Sequence, residues 1–188
     1  MSKRSVILPA FGGVCIALFA GVSAMVGHQY LSPLIFSIGI LLIIHFGLSL
    51  ITRDCPLGLP AGSVAVTLAV NIAAACLLGL CFTGKINGEV CMKADLFGSV
   101  LTGLIIGFVA LVNRDRGLYT LPLTLLLMYA FVYLKLPHCV VYGFYLPLCG
   151  TGLGLKLICL AYAIAGNVIG GILIHIFDVA VKEVKRGG

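Results

Sequence analysis

The chain has 188 residues, of which 61% are hydrophobic and only 10% charged, and its mean hydropathy is +1.20. Soluble domains carry apolar residues near half and charged residues near a quarter, so a soluble enzyme or binding domain is excluded and an integral membrane protein is indicated. The net charge of +6 would suit a nucleic-acid partner, but the basic residues sit at the ends of apolar runs and form no single face, so no nucleic acid is implied.

About 20 apolar residues cross a bilayer as a helix, so the length allows one all-α transmembrane domain over 1–188 with about six spans. Lys3 and Arg4 followed by the apolar run Val6 to Val26 look like a secretory signal. Five further apolar segments follow, so the run reads as a retained first span. After the turn at His28, Gln29 and Tyr30, a second span starts near Pro33, which suits a first helical turn, and runs through Phe36, Gly39, Ile40 and His45 to Gly47. The next stretch, Leu48 to Gly62, is rich in Pro and Gly, which punctuate helices; it reads as a break.

The third span, Ser63 to Phe82, carries Asn71, a residue that bonds helix to helix inside a membrane for about 1 kcal/mol. A loop with Lys85, Glu89, Lys93 and Asp95 leads to the fourth span, Leu96 to Val112, where Gly98, Thr102, Gly103 and Gly107 let a neighbouring backbone approach closely. Beyond the loop Asn113-Arg114-Asp115-Arg116-Gly117, one long apolar segment from Leu118 to Leu148 is interrupted by Leu134-Lys135-Leu136-Pro137-His138-Cys139. Proline removes an amide donor and clashes with the preceding turn, so the helix should break near Pro137. Such backbone survives at membrane depth only against protein or a wet cavity. An ionisable residue there reads as part of a pathway, which nominates His138; the plainer alternative is a neutral, packed His capping a kinked helix. Lys135 either attracts an anion or snorkels to the interface. The sixth span, Lys156 to Phe177, holds the helix-packing run Gly166-Asn167-Val168-Ile169-Gly170-Gly171.

Alternating spans collect Lys3, Arg4, Arg53, Arg114, Arg116, Lys182, Lys185 and Arg186 on one side, against Lys85, Lys93 and Lys156 on the other. Both termini are then cytoplasmic in a multi-pass protein of the inner (plasma) membrane. Of the eight cysteines, Cys15, Cys76 and Cys159 lie in apolar runs as small hydrophobes, and one bridge among Cys81, Cys91 and Cys149 is open. No metal-ligand spacing or cofactor motif appears.

The two halves, about 5–83 and 95–178, each hold three segments with the middle one broken. Three spans per half is odd, so the repeats run in opposite directions, and paired broken segments point to a path at the midplane.

These residues resemble the formate/nitrite transporter family. Phe131, His138 seven residues later and Pro147 nine after that keep the spacing of its fifth segment. Phe36, Gly39-Ile40 and the triplet Leu50-Ile51-Thr52 match its second segment and the loop with the pore threonine. Ile105 matches the small aliphatic residue of its fourth segment, and Asn71 and Gly166-Asn167 match its Gly-Asn motifs. The resemblance implies an aquaporin-like homopentamer in the lipid bilayer with a pore in each protomer. It implies two hydrophobic constrictions around His138 and Thr52: Phe36, Ile40, Phe131 and Ile105 on one side, Leu50 and Ile51 on the other. The expected cargo is a small monovalent anion or its weak acid, with formate, nitrite and hydrosulfide as candidates. This chain departs from the pattern at Pro137, Cys139 and Tyr142, where Glu, Ser and Asn are usual, and at Ser49 and Thr102; its connection from Thr52 to Asn71 is shorter.

Two other classes fit the residues less well. The substrate-binding membrane component of an energy-coupling vitamin transporter also has about six spans in a short chain, but Trp is absent and no outer loop is rich in aromatics. A membrane enzyme is disfavoured, because His138 and Cys139, as neighbours on a helix, would point in different directions and no carboxylate lies in the apolar runs before Asp178.

Overall fold

The computed structural model describes residues 4–86, 92–114 and 120–187. Lys3, Glu89, Cys91, Asp115, Arg116 and Gly117 lie outside the described residues, as do the side chain of Arg4 and any bridge to Cys91. Among the described residues there are eight helices and no strand: α1 (Arg4–Val26), α2 (Leu31–His45), α3 (Ile51–Asp54), α4 (Ala61–Cys81), α5 (Leu96–Arg114), α6 (Leu121–Tyr133), α7 (Cys139–Tyr145) and α8 (Leu153–Gly187). By length and composition α1, α4, α5 and α8 can each cross a membrane. Phe11, Leu77, Phe97 and Leu126 stand exposed on their outward faces, a liability in water and ordinary against lipid. The chain is a multi-pass, all-α membrane protein.

The two interruptions are built alike. After α2, Gly47 takes a left-handed φ of +63°, its N–H bonds the Ile44 carbonyl (3.2 Å), and the Leu48 N–H bonds that of Ile43 (2.9 Å). This crossed pair is a Schellman stop, which satisfies carbonyls that a helix end leaves open. After α6 the same pair recurs: Lys135 N–H to Val132 (2.9 Å) and Leu136 N–H to Phe131 (3.3 Å), with Lys135 at φ 54°. The break expected at Pro137 therefore begins earlier, since α6 ends at Tyr133. What stops the helix is the left-handed turn at Lys135, and Pro137 follows in the extended stretch.

Two helix pairs carry the scaffold. A Cβ on Gly13 would come within 2.9 Å of Asn71 Cα on α4. On the other side of the molecule, a Cβ on Gly103 would meet Gly170 Cα of α8 at 2.9 Å, and one on Gly166 would collide with Ser99 of α5. Backbone cannot move aside as a side chain can, so small residues at these points set how closely the helices approach. Reciprocal bonds from Ser23 Oγ to the Ser32 carbonyl (2.9 Å) and from Ser32 Oγ to the Ser23 carbonyl (2.8 Å) close the α1–α2 hairpin. Tyr30, ahead of α2, stacks on Tyr133 at the end of α6, with ring centroids 6.3 Å apart, so α2 and α6 run antiparallel.

Candidate functional site

Each break is gripped by one buried asparagine. Asn71 of α4 accepts from the Ile51 N–H through Oδ1 (3.0 Å), and its Nδ2 donates to the carbonyls of Pro9 (2.6 Å) and Ser49 (3.1 Å). Asn167 of α8 accepts from the Cys139 N–H (2.9 Å) and donates to the carbonyls of Ser99 (2.8 Å) and Pro137 (3.2 Å). An amide has one acceptor and two donors, and here it ties the start of a half-helix to the residue two places before it and to a neighbouring helix. Ser49 therefore corresponds to Pro137, Leu50 to His138 and Ile51 to Cys139. Both asparagines thus bond a neighbouring helix and the start of a half-helix at once.

Between the clamps Thr52 Oγ1 lies 3.2 Å from His138 Nε2, and both residues are buried. His138 Nδ1 also accepts from the Val141 N–H (3.4 Å), capping α7. A neutral imidazole has one donor and one acceptor, so with Nδ1 accepting, Nε2 carries the proton and donates to Thr52. The Phe131 ring packs edge-on against His138 and tilts against Phe36, each pair 6.1 Å between centroids.

Two cavities flank this contact. The larger, about 850 Å³, is lined by Phe36, Phe131 and His138 together with Lys93, Lys135 and Tyr142. The smaller, about 200 Å³, is lined by Ile44, Arg53, Leu57, Ala110, Asn113 and Arg114. Phe36, Ile40 and Ile44 are spaced by four along α2 and share one face, so the buried Ile40 lies between the two spaces. Leu50 and Ile51 are buried beside Thr52. Ile105 is half-buried, whereas Ile106, fully buried, shares the α5 face of Ala110 and Asn113.

Tyr142 lies in the large cavity's wall; its hydroxyl accepts from the Lys93 N–H (3.0 Å) and donates to the Lys93 carbonyl (3.2 Å), pinning that loop to α7. Lys135 occupies the position that Gly47 holds in the other break. A side chain in the left-handed region costs about 1 kcal/mol, and such outliers persist where surrounding structure and function hold them. From the sequence Arg53 marks orientation alone and Asp54 carries no motif; Asp54 is buried, with Oδ2 accepting from Thr67 Oγ1 (3.3 Å). The signal available for both was their place directly after Thr52. Cys81 and Cys149 are free thiols, and Lys156 Nζ donates to the Leu146 carbonyl behind α7 (2.9 Å).

No protein-family profile and no curated protein matches the sequence. Among solved structures, a pentameric formate channel with formate bound superposes with a TM-score of 0.74 at 16% identity, covering 95% of this chain and 96% of the other. An FNT family ion channel superposes with a TM-score of 0.67, also at 16% identity, over 95% of this chain and 88% of the other. Two chains with so few residues in common that superpose over nearly their whole length share an architecture: this chain has the fold of a formate-channel protomer.

Proposed function

We propose that the protein is a divergent member of the formate/nitrite transporter family and a channel, not an enzyme, for a small monovalent anion or its conjugate acid. The Thr52–His138 contact carries the reading, because it joins the two broken segments between two cavities that open toward opposite ends of α2. The α2–α3 and α6–α7 segments each make one crossing, giving six spans as two inverted three-helix repeats in a single domain, with five copies in the assembly. The recurrence of the asparagine clamp and of the Schellman stop supports that arrangement. Both termini face the cytoplasm across the inner membrane, on the strength of the basic residues on that side.

In this reading the lysines at 93 and 135 collect anions in the large cavity. Phe36, Ile40 and Phe131, with Ile105 and Ile106 from α5, form one constriction, and Leu50 and Ile51 the other. A bare charge between them costs several kcal/mol. A weak acid that takes up a proton avoids that cost, and His138, with its proton on Nε2 toward Thr52, is the group placed to exchange one. Proteoliposomes loaded with formate, nitrite or hydrosulfide, followed by internal pH and light scattering, are expected to show flux of at least one; flux of none would overturn the reading.

Lys135→Gly is a second test, of the strained turn. Glycine relieves the left-handed penalty, so the variant should gain about 1 kcal/mol of stability in thermal unfolding. It should also conduct more slowly at low ionic strength, with the difference closing as salt screens the charge. An unchanged melting temperature would show the turn to be unstrained.

A further inference from the structure

We infer that the small cavity is a second binding subsite, for a planar oxyanion with two oxygens, held by the guanidinium edge of Arg53. The inference rests on the channel reading above and narrows its substrate class.

Arg53 is fixed before any ligand arrives. Its Nη1 donates to the carbonyls of Gly47 (3.1 Å) and Leu48 (2.8 Å), the turn that ends α2. Asp54 Oδ1 lies 3.8 Å from the same Nη1 and is held by its own bond to Thr67. All of these contacts use one corner of the guanidinium. Among the described residues Nη2 and Nε donate to nothing, and neither is a buried atom lacking a partner. The side chain is 27% exposed and Arg53 belongs to the cavity wall with Ile44, Leu57 and Ala110, so the edge that makes no protein bond is the part of it left for a ligand there.

The other polar groups of the wall are engaged. Arg114 gives both terminal nitrogens to Asp178 (3.0 and 3.3 Å). Asn113 donates to the Val109 carbonyl and to Thr124 Oγ1, both at 2.8 Å. Arg53 therefore supplies the open donors, two N–H groups side by side. That fork matches the two oxygens of a carboxylate or of nitrite and makes two charge-assisted bonds at once. Hydrosulfide concentrates its charge on one atom and gains nothing from the second donor. A space of about 200 Å³ equals roughly six to seven water volumes, enough for such an anion with some of its hydration. Arg53 follows Thr52 in α3, and Ile44 lies one turn beyond Ile40 on α2, so the two half-helices that frame the Thr52–His138 contact also supply wall residues of this cavity.

The test is unidirectional flux in vesicles of known protein orientation, with formate, nitrite and hydrosulfide as probes. Arg53→Lys keeps the charge and a donor for the Gly47 and Leu48 carbonyls but removes the fork. It should raise the half-saturating concentration of formate and nitrite about tenfold for entry from the face where α2 and α5 end, the loss of one charge-assisted bond. The value for hydrosulfide should not move. An equal shift for all three anions, or no shift for any, overturns the subsite while leaving the channel reading intact; absence of flux in the unmodified protein removes both. Should Arg53→Lys fail to assemble, Ala110→Val narrows the cavity from α5 without touching Arg53. It is expected to weaken formate and nitrite in the same direction, and unchanged half-saturation there also overturns the subsite.

Discussion

Asn167→Leu is expected to abolish the stable assembly. The leucine leaves the Cys139 N–H and the carbonyls of Ser99 and Pro137 without the partner they share. Each buried, unpaired backbone group costs about 1–3 kcal/mol; the Ser99 carbonyl keeps its bond inside α5, so the loss from the Cys139 N–H and the Pro137 carbonyl is about 2–6 kcal/mol, against about 5–15 kcal/mol for a whole folded domain. Gly166 and Gly170 leave α5 and α8 in backbone contact around this residue, so there is no slack to admit water in its place. Asn71→Leu should behave alike, since the Ile51 N–H and the carbonyls of Pro9 and Ser49 depend on it. Thermal unfolding in detergent, with light scattering for the assembled mass, measures both; a melting temperature equal to that of the unmodified protein would show that the clamp is dispensable.

His138→Asn should leave the fold standing and remove the pH dependence of transport. Asparagine is a good helix N-cap, so it can replace His138 Nδ1 in capping α7, and its amide can still reach toward Thr52. What it lacks is a site that titrates. A positioned group that transfers a proton contributes about 10²–10⁴-fold, so flux should fall about a hundredfold and the remainder should be flat with pH. Thr52→Val removes the hydroxyl 3.2 Å from the ring while keeping the shape. One hydrogen bond is worth about 1 kcal/mol, so flux should fall about fivefold with the pH profile retained. If His138→Asn transports with an unaltered pH response, the proton is exchanged elsewhere, and Lys135 in the same cavity wall becomes the group to examine.

The outlines of this protein were legible in its sequence for a physical reason. Apolar runs of bilayer length bounded by charge read as spans, so α1, α4 and α5 fall within a few residues of their expected positions, while α8 starts near its expected place and runs ten residues past Phe177 through the basic tail to Gly187. Gly and Pro density marked the break after α2, and the Lys-Leu-Pro-His interruption marked the one after α6. Other features needed the tertiary structure, because helices that are apolar on every side give no periodic cue to which face meets lipid and which meets the interior. Neither the face of α5 carrying Ile106 with Ala110 nor the turn of Arg53 into a cavity could be read from composition. The correspondence of Leu50 with His138 emerged only from the hydrogen bonds of Asn71 and Asn167, since residues distant in the chain meet only on folding. Lys135 was conspicuous as a charge in an apolar segment. Its left-handed backbone, the feature that ends α6, belongs to the closed turn and has no signature in a residue type that rarely adopts it.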